Sequence, residues 1–178
     1  MLSQNRTPGP QLRLLLDEAL VFCVHSASST ASVSAVSLRL LLLLNFALAA
    51  YLTGLIWTVQ VVHYPGFALV GKAEFPRYHA AHNQHMSYVV LAPMVLELAL
   101  AAWLAWAGRG ALPRGTGWWS LGLVVFVWAV TFFVSVPFHN RLEANGYDYI
   151  TIDGLVRTNW LRTLAWTARL GLLGWLLK

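Results

Sequence analysis

Four apolar segments dominate the chain and restrict what it can fold into. They cover residues 38–62, 87–107, 118–138 and 156–177. About 20 consecutive apolar residues in a helix are enough to cross the hydrocarbon core of a bilayer. Only 11% of the residues are charged, against about 25% in a typical soluble domain. The sequence therefore predicts an all-α integral membrane domain over residues 37–178, with the lipid bilayer as its main partner.

Short polar breaks separate these segments. The break at 108–117 contains Pro113 and several glycines, which are typical of a tight turn. Short connections place consecutive helices side by side and antiparallel. We therefore predict a four-helix bundle with up-down-up-down topology.

Residues 1–36 differ from the rest of the chain. Asp17 and Glu18 interrupt the apolar stretch found there, which is too short and too charged to span a bilayer. A run rich in serine, alanine and threonine follows, as in flexible linkers. We predict an N-terminal extension that is disordered or weakly amphipathic. The alternative is a start site assigned too early, with the true start near Val33 or Val36.

Lysine and arginine are distributed unevenly over the two ends of the segments. Arg109 and Arg114 lie in the 108–117 hairpin without an acidic neighbour, and Arg39 and Lys178 belong to the same side. The opposite loops mix basic with acidic residues. Because cytoplasmic loops are enriched in lysine and arginine, we predict cytoplasmic N- and C-termini in a bacterial inner membrane. The opposite face would then be periplasmic.

The formal net charge of +5 does not indicate a nucleic-acid partner, because the basic residues are scattered along the chain. Basic flanks on a membrane protein contact anionic lipid instead. The single cysteine, Cys23, excludes an intramolecular disulfide, a redox-active cysteine pair and a zinc site built from several cysteines.

Five of the six histidines lie at one end of the apolar segments, on the predicted periplasmic face. His79 and His82 share one helical face, whereas His85 is rotated by about 120° from His79. We therefore predict a centre of four imidazoles that suits Fe, Cu or Zn. Haem is less favoured because the histidines lie near the rim, and the alternative is that each one only binds loop carbonyls or lipid headgroups. The predicted metal ligands are His63, His79, His82 and His139.

Amide and guanidinium groups accompany the histidines. Gln60 shares a helical face with His63, and Asn159 shares one with Arg162 near the start of the last segment. A fixed arginine stabilises negative charge that develops on a substrate oxygen. We predict Gln60, Asn159 and Arg162 as catalytic residues beside the imidazoles.

Two further charges, Glu97 and Arg169, fall well inside the apolar segments. A charge at the bilayer centre costs at least about 2.5–3.5 kcal/mol, so both side chains need a partner. Counted along their segments, the two reach a similar depth, as does Asn45. We predict a structural midplane pair of Glu97 and Arg169, joined by Asn45. Glu97 lies fifteen residues from His82, or about 22 Å along a helix, which separates it from the histidine centre.

Polar and aromatic residues recur at fixed positions in otherwise featureless apolar segments. The pattern comprises Gln60-Val-Val-His63-Tyr-Pro65-x-Phe67, Phe75-Pro76-x-Tyr78-His79-x-x-His82, Val136-Pro137-x-His139 and Leu155-Val156-Arg157-Thr158-Asn159-Trp160-x-Arg162-Thr163-x-x-Trp166-x-x-Arg169. It resembles a family of small bacterial membrane proteins with four spans and no assigned function, over about residues 38–178. More distantly, the four spans and Asn159-x-x-Arg162 resemble the anthrone-oxygenase-like membrane proteins. That resemblance implies oxidation of polycyclic aromatic compounds without a metal, although the histidine set here is richer.

These observations favour a membrane oxidoreductase, metal-dependent or cofactor-free, that acts on a lipid-soluble quinol or aromatic substrate. Imidazole titrates near neutrality and suits acid–base work on such a substrate. The alternative is a subunit that binds haem, a pigment or a quinone, or an accessory subunit of a larger membrane complex. A transporter is disfavoured because the polar groups gather at one face and the chain has no inverted repeats.

Overall fold

The computed structural model describes residues 37–178, and the extension predicted for residues 1–36 lies outside the described part. Between residues 37 and 178 the chain forms helices and no strands, which confirms the all-α prediction. The four helices are α1 (Ser37–Leu69), α2 (Phe75–Ala107), α3 (Thr116–Asn145) and α4 (Tyr149–Leu176). Helix α2 begins well before the predicted apolar span, because Pro76 in its first turn starts the helix ahead of the histidines.

Three of the described helices, α1, α2 and α3, are long and apolar enough to cross a membrane. Helix α4 is not in this group, since Asp153, Arg157, Arg162 and Arg169 lower its hydropathy. The side chains of Arg162 and Arg169 are nevertheless buried against the other helices. The polar character of α4 is therefore directed mainly into the protein.

Helices α1 and α3 each widen into a π-helical turn just before a proline. The turn is Val59–His63 ahead of Pro65 in α1, and Thr131–Ser135 ahead of Pro137 in α3. A proline has no N–H, and its ring clashes with the carbonyl four residues earlier. In both helices that carbonyl lies in the π-helical turn, so the proline explains the widening. Such turns occur often at functional sites.

Helix α2 passes through Pro93 without a break. Because proline has no N–H, it cannot donate to the carbonyl of Val89, four residues earlier. The hydroxyl of Tyr51 in α1 donates to this carbonyl instead, at 3.1 Å. The contact satisfies a backbone acceptor that would otherwise lack a partner in lipid, and it joins α1 to α2.

Two glycines mark the closest approaches between helices. A Cβ on Gly117 would lie 3.0 Å from the Cα of Ala105, and a Cβ on Gly154 would lie 2.8 Å from the Phe138 ring. Helices α2 and α3 therefore meet tightly beside their connecting hairpin, and α4 meets α3 tightly near the opposite end of α3. Aromatic side chains fill much of the core at that end, including Tyr64, Phe67 and Phe75.

Helix α4 begins with an N-cap in the loop after α3. The Asp148 carboxylate accepts hydrogen bonds from the backbone N–H groups of Ile150 and Thr151 and from the Thr151 hydroxyl. The Thr151 hydroxyl is the main cause of a pKa below the ordinary value for this carboxyl. A carboxyl pKa that is lowered in the folded state adds stability above the unfolded-state pKa. That stability is lost as the pH falls through the folded-state pKa.

We therefore expect Asp148→Asn to weaken the acid sensitivity of the protein, because asparagine keeps the cap but carries no titrating charge. The measurement is the thermal unfolding midpoint of wild type and variant in detergent micelles at about pH 7 and about pH 3. The drop in midpoint between these conditions should be smaller for the variant. An equal drop would show that the Asp148 carboxylate does not contribute.

Candidate functional site

A buried group of polar side chains joins α1 to α4. Gln60, in the π-helical turn of α1, donates from Nε2 to the carbonyl of Val156 at 3.1 Å and accepts at Oε1 from Asn159 Nδ2 at 2.8 Å. Asn159 in turn accepts at Oδ1 from Arg162, with Nε at 3.0 Å and Nη2 at 2.5 Å. Every one of these side chains is buried. The structure thus brings together the three residues predicted to be catalytic and holds the guanidinium in one orientation.

Tyr64 connects Arg162 to the histidines. Its Nη2 donates to the Tyr64 hydroxyl at 3.0 Å. The same hydroxyl lies 3.0 Å from His139 Nε2, and His139 Nδ1 lies 3.0 Å from His79 Nε2. Arg162, Tyr64, His139 and His79, called the relay below, therefore form one continuous hydrogen-bonded series across all four helices.

The arginine restricts the directions of the hydrogen bonds in the relay. Because a guanidinium only donates, the Tyr64 oxygen accepts from Arg162. If the Tyr64 hydroxyl donates to His139 Nε2, a neutral His139 carries its proton on Nδ1 and donates to His79 Nε2. In this tautomer each group donates to the next, away from Arg162.

Two of the predicted ligands, His63 and His82, lie beside the relay. The His82 ring is stacked with the His139 ring at a centroid distance of 6.3 Å, and the His63 ring lies 5.7 Å from the His82 ring. His85 is exposed on α2. The structure therefore gathers the four predicted metal ligands in one region and leaves His85 outside it, as their helical phase requires.

The arrangement of the imidazoles does not match a shared metal centre. Both nitrogens of His139 take part in relay hydrogen bonds, and His79 Nε2 faces His139. Across residues 37–178, no three histidine, cysteine or acidic side chains are placed to hold one ion. The predicted Fe, Cu or Zn centre thus stays a prediction, and these residues would have to rearrange to form it.

A largely apolar cavity of about 350 Å³ adjoins the relay. This size falls within the range of about 300–1,000 Å³ found for small-molecule sites. Tyr64, His82, His139 and Arg162 form a polar end, together with Asn140. The other walls are mostly apolar and come from all four helices, among them Leu52, Ile56, Val59, Met86, Val90, Met94, Trp128, Phe132 and Trp166.

Arg162 has an unusual charge environment. Its residue surface is 7% exposed, yet its side-chain partners are the neutral oxygens of Asn159, Thr131 and Tyr64. The ion pairs found within residues 37–178 are Arg157–Asp153 and Arg169–Glu97. A buried cation that faces a cavity without a carboxylate partner favours a ligand with an electron-rich oxygen.

Glu97 and Arg169 form a second buried polar group, separate from the relay. Arg169 donates from Nη1 to Glu97 Oε1 at 2.7 Å and from Nη2 to Asn45 Oδ1 at 2.7 Å. Its Nε donates to Ser120 Oγ at 3.2 Å. The predicted pair and its predicted third member thus lie in direct contact, and the group contains residues from all four helices.

Sequence reasoning did not single out Tyr64 or Trp166 as site residues. Tyr64 joins Arg162 to His139. Trp166 lines the cavity and donates from Nε1 to Glu97 Oε2 at 2.9 Å. The available signal for Tyr64 was its position between His63 and Pro65, beside a predicted ligand. Nothing in the sequence distinguishes Trp166 from the other tryptophans, because its role depends on which way its helix faces.

Comparisons of the chain with protein-family models, with curated proteins and with solved structures return no match. Its function has to be inferred from the chemistry and geometry of these two buried groups and of the cavity between the helices.

Proposed function

We propose that this chain is an integral membrane protein with four spans in up-down-up-down order. Three helices have the required length and hydropathy. For the fourth span, support comes from the outer face of α4, where apolar residues such as Ile150, Leu164 and Trp175 are exposed while Arg162 and Arg169 are buried. An exposed apolar face combined with a buried polar one is what a lipid solvent requires.

We place both termini in the cytoplasm and the relay near the periplasmic face of a bacterial inner membrane. The arginines of the 108–117 hairpin support this orientation under the positive-inside rule. Exposed tryptophans flank that hairpin, as aromatic residues do at a membrane–water interface. They are Trp103, Trp106, Trp118 and Trp119.

We infer that the cavity binds a lipid-soluble quinol or a related phenolic aromatic compound, and that the protein is an oxidoreductase for it. The observation that carries this proposal is the buried Arg162 cation at the polar end of an otherwise apolar cavity. The apolar walls suit the aromatic ring of such a compound. Its ring oxygen, placed at the polar end, would accept a hydrogen bond from Arg162. As the ring hydroxyl loses its proton, Arg162 stabilises the charge that develops on the oxygen.

The relay supplies a path for the proton. The substrate hydroxyl donates to the Tyr64 oxygen while Tyr64 passes its own proton to His139 Nε2, and His139 shares the added charge with His79 through Nδ1. Complete oxidation of a quinol releases two protons and two electrons. The relay accepts the two protons one at a time, and two electrons and two protons reduce a second reactant such as dioxygen to hydrogen peroxide.

Binding of 1,4-naphthoquinone to the purified protein in nanodiscs tests this proposal. Trp128 and Trp166 line the cavity, so quinone binding should quench tryptophan fluorescence in a saturable manner. Replacement of Arg162 by leucine should weaken binding by about 10- to 100-fold, since a hydrogen bond from a charged donor contributes about 1.5–3 kcal/mol.

Arg157→Leu is the matched control, because Arg157 lies on the same helix with a side chain that is 78% exposed. It should bind the quinone as wild type does. Quenching that does not saturate, or equal affinity of Arg162→Leu and wild type, would contradict the proposal. Saturable binding without oxidation of the quinol in the presence of dioxygen would instead assign the protein as a quinone-binding subunit.

A further inference from the structure

The residues that line the cavity differ in how exposed they are. The residues that line it from α1 and α4, such as Leu52, Ile56 and Trp166, are buried or half-buried. Exposed lining residues occur on α2 and α3 instead. Four of these, two on each helix, are here called the opening: Ser87, Leu91, Phe132 and Val136.

The opening lies at the height of the hydrocarbon core if the helices span a bilayer. Leu91 is the middle residue of the 33-residue helix α2, and Phe132 lies near the middle of the 30-residue helix α3. A span needs about 20 residues, so any span cut from either helix contains these two positions. At these two positions the opening therefore faces lipid.

A widened turn of α3 lies at the opening. Beside the hairpin, α2 and α3 are in close contact at Gly117 and Ala105. Further along, α3 enters its π-helical turn Thr131–Ser135, and Thr131 and Phe132 line the cavity together with Met86 and Val90 of α2. The widened turn therefore forms part of the cavity wall at the opening.

We propose that the ligand enters this cavity sideways from the bilayer, through the opening, with its ring oxygen leading towards Arg162. The inference rests on the proposed function and narrows its substrate class. A cavity of about 350 Å³ holds a one- or two-ring headgroup but not a long chain. Because the opening leads into lipid, a quinol with an alkyl or prenyl tail can place its headgroup in the cavity while its tail stays in the lipid, and we assign this substrate class.

The rate of quinone binding tests lateral entry. The double variant Leu91→Phe/Val136→Phe adds bulk on both sides of the opening, and the probe is a quinone with a ten-carbon alkyl tail, added to proteoliposomes. We expect the association rate, followed by stopped-flow tryptophan quenching, to fall about tenfold or more. The association rate is the readout, because Leu91 and Val136 also line the cavity and added bulk there changes the equilibrium dissociation constant as well.

Leu96→Phe/Val125→Phe is the matched control, since Leu96 is 53% exposed on α2 and Val125 is 52% exposed on α3, and neither lines the cavity. It should bind at the wild-type rate. Saturable binding by wild type together with an unchanged rate in the Leu91/Val136 variant would overturn lateral entry alone. Absence of saturable binding by wild type would overturn the proposed function itself.

A second variant tests the same route if Leu91→Phe/Val136→Phe does not fold, because it should change the association rate in the opposite direction. Phe132→Ala removes a ring that is 54% exposed at the border of the opening. It should speed association, and a rate equal to that of wild type would count against the proposed route.

Discussion

Replacement of Arg169 by methionine is expected to lower the free energy of unfolding by about 3–5 kcal/mol, the typical cost of removing one partner of a buried ion pair. Arg169 and Glu97 are both fully buried, with Nη1 and Oε1 2.7 Å apart. The variant would leave the Glu97 carboxylate without a cation and would also remove donors to Asn45 and Ser120. Unfolding of the purified protein by titration with sodium dodecyl sulfate in mixed micelles measures the loss.

Two further variants show whether the pair acts as a unit. Glu97→Gln/Arg169→Met removes both charges and keeps an amide oxygen for the Trp166 indole, so it should recover much of the lost stability. Arg157→Met breaks the exposed ion pair with Asp153 and should cost less than about 1 kcal/mol. If the double variant is no more stable than Arg169→Met, the buried charge is not the cause of the loss.

Replacement of Tyr64 by phenylalanine is expected to slow quinol oxidation by about 10²- to 10⁴-fold, which is the usual contribution of a positioned proton-transfer group. The hydroxyl of Tyr64 is the contact between Arg162 and His139 in the relay, with a distance of 3.0 Å on each side. Without it, a proton from the substrate has no hydrogen-bonded path to His139. Affinity for the quinone should change by less than about threefold, because Arg162 remains.

Dioxygen consumption with a naphthoquinol substrate, combined with the quinone-binding titration, separates turnover from affinity. Tyr88→Phe serves as the control, since Tyr88 is 69% exposed on α2 and does not line the cavity. A loss of affinity in Tyr64→Phe equal to its loss of rate would give the hydroxyl a binding role only. Turnover at the wild-type rate would exclude the relay as the proton path.

The histidines show what helical periodicity can and cannot predict about a site. Periodicity separates His85 from His79 and His82, and in the structure His85 is exposed while the other two lie in or beside the relay. Periodicity does not say where the ring nitrogens point. The ring contacts of His79 and His139 are hydrogen bonds to each other and to Tyr64, which depend on side-chain rotation and on the exact approach of three helices.

The polar residues of α4 give a second example. Their spacing in the sequence indicates that Asn159 and Arg162 share a face and that Arg169 lies deeper in the segment. The sequence does not indicate that Gln60 would accept a hydrogen bond from Asn159, or that Ser120 would accept one from Arg169. Those contacts join residues far apart in the chain, and local periodicity carries no information about them.

The sequence by itself determined the helical class, the three strongly apolar helices and the types of polar group that lie among them. These features depend on composition and on the 3.6-residue period, which are local properties of the chain. The tertiary structure alone decided that Tyr64 connects Arg162 to His139, and that a cavity lined by all four helices adjoins this connection. The physical reason is that two prolines widen the preceding turns of α1 and α3, and packing of the four helices then determines which side chains meet.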